Sequence, residues 1–503
     1  MIDIPRFAPL RIVQRTGRPK REDIDANENV FVVVPPGRRS RHFRIPLQSL
    51  ISRLATAAGR TSDKQIATRL DNAKATNLTV AIAPAEATAF ERLTWARKLV
   101  APAADTGGRA ALLVQGMNDD DYLNIVEALL SALAAASFAL PSFKAKRRRR
   151  RLSTATVLGA QLRVNVAVTK AEATGNNLAR WLTALPPNML DAAGYRAATE
   201  KIAATYGLEF EFLDEKKLSQ LGAGAFLAVS QGNASRDAGI AKLSYTPDNA
   251  SGRLALVGKG IVFDTGGNNI KPFRSMLDMH MDMQGSAVAL GLLVALSLLH
   301  VPYEVETWLA ITENRVSARA YKSQDVVTAS NGTTIQVIHT DAEGRMVLAD
   351  TLALAAGSEP DLIIDYATLT GTCVAALTSR YSGVFCNRDD AHPALIAAGR
   401  NSGERVWPFP IDKDFDEPLR SEIADIRQCS EDSSGDHILA ARFLSRFVPE
   451  RIPWLHVDLS AAQHKGGLAH IPSESTGFGV RFTLQLLEKE LQLRDSFEGL
   501  FSR

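Results

Sequence analysis

The chain has 503 residues, 46% hydrophobic and 22% charged, which excludes disorder as its main state and suffices for a large core without disulfides or a structural metal. Lys plus Arg less Asp plus Glu gives 58 − 55 = +3; the segment Lys144–Arg151 holds seven of those cations, and without it the balance is 51 − 55 = −4, so the basic character belongs to one cluster. Three cysteines (Cys373, Cys386 and Cys429) with no C-x-x-C pair argue against a disulfide framework, a zinc ribbon or a thioredoxin-like motif, and suit a reducing, cytoplasmic compartment.

The first residues carry no basic stretch followed by an apolar one, so no signal peptide is expected. Residues 1–77 show scattered charge, a Pro35-Pro36-Gly37 turn and a basic patch at Arg38–Arg41, with little periodicity. From there strands are expected at Leu78–Ala83 and Ala110–Val114, with helices at Glu86–Val100 and Asp119–Ala136. Leu162–Val168 reads as a strand closing this first sheet, which places a domain boundary near residue 165. Beyond it, helices are expected at Asn176–Leu185, stopped by Pro186-Pro187, and at Asp191–Tyr206. Strands are expected at Leu208–Leu213, Gly239–Tyr245, Arg253–Val257, Val305–Ile311, Thr334–Ile338, Leu362–Tyr366 and Trp454–Asp458, with helices at Gln284–Leu299 and Met346–Ala356. The pattern predicts an α/β protein: a smaller N-terminal α/β domain over 1–165, and over 166–503 a larger one with a mixed, mostly parallel central sheet flanked by helices. The apolar runs Ala128–Leu140 and Ser286–Leu299 are shorter than the roughly 20 residues a membrane span needs and read as buried helices.

Three constellations carry chemistry. Val257–Gly267 takes a strand into a glycine-rich turn with Lys259 and Asp264, but matches neither a phosphate loop nor a dinucleotide fingerprint. Asn268–Pro272 supplies Lys271, and Asp278 and Asp282 follow; Asp282 precedes an apolar helix and could be only its N-cap. Four of eight methionines, Met276, Met279, Met281 and Met283, crowd the same stretch, as core filler or pocket lining. Val337–Arg345 ends a strand in a loop with Asp341, Glu343 and Arg345. Burying so many unpaired charges is costly, and converging carboxylates resist ionising together. Divalent cations remove both difficulties, and the oxygen-rich set suits Mg²⁺, Mn²⁺ or carboxylate-bound Zn²⁺. Such a pair can polarise a carbonyl or a phosphoryl group, so spacing alone leaves peptide and phosphoester substrates open.

At these residues the sequence resembles the leucyl aminopeptidase (cytosol aminopeptidase) family. The family's signature octapeptide, Asn-Thr-Asp-Ala-Glu-Gly-Arg-Leu, appears as His339-Thr340-Asp341-Ala342-Glu343-Gly344-Arg345-Met346. VGKGIVFDTGGNNIKP (257–272), NNLARWLTALPPNML (176–190), AYKSQDVVTASNG (320–332), DYATLTGTCVAAL (365–377) and WLHVDL (454–459) are similar to family segments, over roughly 175–485. The resemblance implies a metal-dependent exopeptidase with two divalent ions, Mn²⁺ or Zn²⁺ first and Mg²⁺ or Co²⁺ as alternatives. Asp264, Asp341 (with its backbone carbonyl) and Glu343 would hold one ion; Lys259, Asp264, Asp282 and Glu343 the other. Lys259 would bind as the neutral amine. Lys271 would stabilise the gem-diolate, and Arg345 would hold a bicarbonate that relays a proton from the activated water. The substrate's free α-amine would sit on a metal. Met279, Thr368 and Gly371 would line the pocket for the first side chain, where Ser460 and Gln463 depart from the family's smaller or more apolar residues. His339, Met346 and Gln324 are further departures, none at a ligand position. A homohexamer in the cytoplasm is also implied. Two other functions stand beside it: a nucleic-acid role for Lys144–Arg151, which has no interleaved aromatic residues, and another two-metal hydrolase such as a phosphoesterase.

Overall fold

The structure, a computed structural model, describes residues 3–37, 45–145 and 151–491. Most of the basic cluster Lys144–Arg151, and the Arg38–Arg41 patch, lie outside the described residues. The chain forms two compact units, one of Arg6–Ala173 with Lys465–Glu474, the other of Met1–Pro5, Thr174–His464 and Ser475–Arg503. The division falls inside the helix Val166–Thr183, and the N-terminal unit also takes in a late segment that lies near the end of the sequence.

The N-terminal unit is a six-stranded sheet in the order Arg11–Arg15, Leu152–Leu158, Gly108–Val114, Asn29–Val34, Asn77–Ile82, Gln65–Arg69. Only the last pairs antiparallel. The helices Ala89–Thr106 and Asp119–Ser137 share one core with it, and Gln48–Ala58 belongs to a second core that also takes in sheet residues. The helix starts have local causes. Thr88 and Glu91 form a capping box, and Asn118 accepts from the Asp121 N–H. The expected strand Leu162–Val168 is not one: Leu152–Leu158 fills the place in the sheet, and Val166 begins a helix, its backbone N–H neighbours capped by Asn165. An alternating apolar pattern over a few residues suits either element, and the cap decides it here.

The larger unit has an eight-stranded sheet in the order Val406–Pro408, Ser382–Cys386, Trp454–Asp458, Leu362–Ala367, Arg253–Asp264, Glu304–Asn314, Gly239–Tyr245, Glu209–Asp214. The four central strands, Trp454–Asp458 to Glu304–Asn314, are parallel. They are buried almost throughout, as parallel strands covered on both faces must be. A second, three-stranded sheet pairs Val326–Thr328, Thr334–Gln336 and Ile426–Arg427.

The helix expected at Asn176–Leu185 starts ten residues earlier, at Val166, and two further boundary shifts bear on the site. The strand expected to stop at Val257 continues to Asp264, so Lys259 sits inside a strand and not in a turn. The glycines that suggest a turn are there for close approach. A Cβ on Gly258 would overlap the Ser286 backbone, and one on Gly285 would overlap the Tyr366 carbonyl oxygen. The helix Gln284–Leu299 therefore lies directly on the sheet. It is the apolar run Ser286–Leu299, and its residues from Gln284 to Ser297 are buried. The helix expected from Met346 begins at Glu343, which places Glu343 and Arg345 in its first turn rather than in a loop.

Gly285→Ala is expected to lower stability by about 1–3 kcal/mol through overpacking against backbone that has no room to yield. Gly371→Ala, where nothing lies within 4 Å of the added carbon, should change it by about 0.5 kcal/mol or less. Equal urea midpoints for the two variants would refute the close-approach argument.

Candidate metal centre

The carboxyl ends of the central parallel strands converge on one cluster, the place where open α/β sheets bind ligands. Lys259 and Asp264 come from the strand Arg253–Asp264. Thr368 directly follows the neighbouring strand Leu362–Ala367, and Asn314 ends Glu304–Asn314 on the other side. Asp341 and Glu343 arrive from the loop and first helical turn after Thr334–Gln336.

Successive strand residues face opposite ways, so while Gly258 meets Ser286, Lys259 turns toward the helix Glu343–Ala356. Gly344 makes room for it: a Cβ there would stand 2.7–2.8 Å from the lysine Cε, Cδ and Nζ. The Lys259 ammonium lies 2.8 Å from Asp282 Oδ2 and 2.9 Å from Glu343 Oε1, and donates to the Thr368 carbonyl at 3.0 Å. Lys271 lies 2.9 Å from Asp264 Oδ2 and 2.6 Å from Asp341 Oδ1. Ligand oxygens of Asp264, Asp341 and Glu343 all fall within 4.8 Å of one another.

Asp282 does not cap the helix after it. Met283 holds the N-cap position, with no side-chain cap bond, and Asp282 Oδ1 accepts instead from the Thr368 hydroxyl at 2.7 Å. Of the three residues expected to line a substrate pocket, Thr368 thus touches the cluster directly. Met279 sits half-buried in the turn before Asp282, and Gly371 is exposed at the start of the helix Gly371–Leu377. Gln463, one of the departures, reaches Met281 Sδ at 3.1 Å, and the Ser460 hydroxyl donates to the Tyr381 carbonyl at 2.7 Å.

Electrostatics mark this cluster as unfinished. Burial, with repulsion from Glu343 and Asp264, pushes Asp282 up to about 8 although Lys259 opposes it. The same causes push Asp341 up to about 7. Burial and Glu343 also raise Asp264, while Glu343 is held below its usual range because Lys259 and Lys271 more than offset its burial. Burial disfavours the charge on both lysines, yet the surrounding carboxylates raise them. With all four carboxylates ionised, two ammonium groups would leave 2 − 4 = −2 in a site where Lys259, Asp264, Asp282 and Glu343 are all buried, and the raised Asp282 and Asp341 express the cost of that charge. Glu343 Oε2 is buried with no hydrogen-bond partner. An oxygen-rich, negative cluster with an orphaned carboxylate oxygen is the donor set that divalent cations take.

Several residues that hold the clustered carboxylates carried no motif. Asn314 donates to Asp264 Oδ1 at 2.8 Å and to the Thr340 carbonyl at 3.0 Å. Gln428 accepts from the Ile338 and His339 N–H groups and donates to the Ala342 carbonyl, fixing the loop from below. The Thr340 hydroxyl donates to Gly266 O, and Tyr321 donates to Thr340 O. Asn269 accepts from Thr340 N and its own N–H donates to Thr340 Oγ1, lacing the loops together. His339 Nδ1 accepts from the Asp341 N–H, and burial and Lys271 lower its pKa, so the ring serves as a neutral acceptor. Arg345 is 2% exposed and pairs with Asp436.

The model of the cytosol aminopeptidase family's catalytic domain matches residues 177–484. A probable cytosol aminopeptidase from Syntrophotalea carbinolica is 39% identical over 378 residues, 73% of this chain and 75% of that protein. A mutant of tomato leucine aminopeptidase superposes with a TM-score of 0.82 at 26% identity, covering 95% of this chain and 96% of the other. The bottromycin maturation enzyme BotP, in complex with Mn, gives 0.78 at 28% identity over 92% of this chain and 98% of its own. With its α/β fold, its carboxylate cluster and these relatives, the chain belongs to the cytosol aminopeptidase family of metal-dependent, leucyl-aminopeptidase-like hydrolases.

Proposed function

We propose that the protein removes N-terminal amino acids from peptides at a centre for two divalent cations. The observation that carries this reading is one cluster in which oxygens of Asp264, Asp341 and Glu343 lie within 4.8 Å of one another and Lys259 lies against Asp282 and Glu343. Asp264, Asp341 and Glu343 would hold one ion; Lys259, Asp264, Asp282 and Glu343 would hold the other, with Asp264 and Glu343 shared. The backbone carbonyl of Asp341 would complete the first. Mn²⁺ or Zn²⁺ suits the mixed oxygen and amine donors best, and the BotP structure holds Mn. Bound there, the cations supply Lewis acidity to the scissile carbonyl and acidity to water.

The remaining work falls to the chain. Lys271, whose side chain is 15% exposed against 4% for Lys259, faces the mouth of the cluster and stays protonated among Asp264 and Asp341. It is placed to stabilise the oxyanion that develops on the carbonyl. Arg345 keeps a permanent positive charge next to Glu343 and seats the carboxylate-type anion that takes the water proton; bicarbonate is the anion the family resemblance supplies. A free α-amine adds a neutral donor to this acidic cluster, which an acylated nitrogen cannot do, so cleavage is confined to the first residue. Met279, Thr368 and Gly371 line the pocket for that residue's side chain. The active assembly is a cytoplasmic homohexamer.

Adding Mn²⁺ to metal-stripped protein should raise its unfolding temperature. Cation at a hundred times its Kd adds about 2.7 kcal/mol to stability. Glu343→Ala, which breaks both ligand sets, should lose that shift; an equal shift in the variant would place the ions elsewhere.

The Mn²⁺-loaded protein should hydrolyse leucine amide and leave N-acetyl-leucine amide and a phosphate monoester intact. Lys271→Ala should lower kcat by on the order of 10²–10³ while keeping the Mn²⁺ thermal shift. Turnover of the phosphate ester alone would replace the aminopeptidase by another two-metal hydrolase, and an undiminished kcat would remove Lys271 from the oxyanion role.

A further inference from the structure

The guanidinium of Arg345 is buried, cannot shed its proton, and so requires an anion beside it. Among the described residues, the carboxylate in ion-pair contact with it is that of Asp436. Nη2 donates to Asp436 Oδ1 at 2.9 Å and to Oδ2 at 2.7 Å, while Nη1 donates to the Gln428 carbonyl at 3.3 Å. Nε is buried with no hydrogen-bond partner. The anion seat on this arginine is therefore filled from within the chain.

The local structure delivers Asp436 to that seat. Gly435 takes φ 67°, a left-handed turn that suits glycine, and Asp436 is the first residue of the helix Asp436–Leu444. A carboxylate in a first helical turn is favoured by the helix dipole. The Asp436 side chain is 24% exposed and that of Arg345 2%, so the carboxylate is the wetter, more accessible partner of the two. The pair is tied to the carboxylate cluster through Gln428, whose carbonyl accepts from Arg345 and whose side chain holds the Ile338–Ala342 loop that carries Asp341. Glu343 acts electrostatically on Arg345, and the His339 ring feels Lys271, Glu343, Asp436 and Arg345 together.

We propose that Asp436 is the protein's own proton-accepting carboxylate. It occupies the seat on Arg345 that bicarbonate would otherwise fill, so hydrolysis needs no added bicarbonate. This rests on the aminopeptidase reading and specifies its base. The O–H bond of the attacking water breaks, its proton goes to an Asp436 oxygen, and the water oxygen bonds to the carbonyl carbon. The C–N bond then breaks, the departing amine takes that proton, and Asp436 returns to the carboxylate.

The test compares leucine amide hydrolysis by the Mn²⁺-loaded protein in CO₂-free buffer and with added bicarbonate. The wild type should change by less than about twofold, against the 10²–10⁴-fold worth of a positioned base. Asp436→Ala should fall by at least about tenfold in CO₂-free buffer and recover with bicarbonate. Asp436→Asn, which keeps the shape and loses the base, should fall likewise. A second readout needs no turnover: ¹³C-bicarbonate line broadening on the metal-free protein should be absent for the wild type and present for Asp436→Ala. The proposal is overturned if bicarbonate accelerates the wild type as steeply as the variant. It is equally overturned if both variants match the wild type in CO₂-free buffer, or if bicarbonate broadens alike with wild type and variant. Absence of turnover by the wild type with Mn²⁺, Zn²⁺ or Mg²⁺ would instead sink the aminopeptidase reading, and the binding measurement would still decide what fills the seat.

Discussion

Everything in the larger unit is arranged around the repulsion among Asp264, Asp282, Asp341 and Glu343. Four carboxylates at one end of a parallel sheet oppose folding unless something positive joins them, and Lys259 and Lys271 offset only half of that charge. The rest of the scaffold keeps the cluster from relaxing apart. The helix Gln284–Leu299 is pressed on the sheet through Gly258 and Gly285, which fixes Asp282 just before its start. Gly344 lets Lys259 lie against the helix that presents Glu343. The loops on the far side are laced by hydrogen bonds of Asn269, Asn314, Thr340 and Gln428. A site that repels itself has to be held by rigid elements, because a loop alone would open to solvate the charges.

The two lysines show how burial divides one residue type between two tasks. Lys259 springs from the middle of a strand, is enclosed by Asp282, Glu343 and the Thr368 carbonyl, and has almost no access to solvent. Lys271 follows the turn after Asp264 and bridges Asp264 and Asp341 from the mouth. An ammonium in the first position can serve only the cluster itself. One in the second can meet an incoming molecule without leaving its carboxylates. The same division separates Glu343, enclosed and carrying an orphaned oxygen, from Asp341, whose side chain is 26% exposed.

Much of this was legible in the sequence because it is written in local pattern. Buried parallel strands such as Leu362–Ala367 and Trp454–Asp458 are mostly apolar, interrupted by Asp365, His456 and Asp458, and Asp191 before Ala192–Tyr206 is an ordinary N-cap. Lys259, Asp264, Asp282, Asp341 and Glu343 stood out because charge at the end of an apolar element is rarely without a partner. What stayed hidden depended on tertiary contact. Glycines inside Arg253–Asp264 read as a turn, since nothing in the strand itself announces that a helix will press on it. The helix start at Glu343 was missed because Ala342 offers no capping side chain. The first 77 residues gave little sign of the short strands they contain, and Gln48–Ala58 begins after Leu47 in a left-handed conformation that no sequence rule assigns to leucine.

Asn314, Gln428 and Asp436 form the most instructive group of omissions. Each is a single polar residue with no motif around it, and each acquires meaning only through a partner far away in the chain: Asp264, the Ile338–Ala342 loop, and Arg345. Sequence spacing finds residues that act together when they are neighbours along one element. It is blind to a second layer assembled across elements, and in this protein that layer orients the clustered carboxylates and pairs the buried arginine. The signature around Arg345 therefore predicts a cation correctly and says nothing of its anion. That anion is fixed by a helix that begins ninety-one residues later, and only the three-dimensional contact between Nη2 and both Asp436 oxygens reveals it.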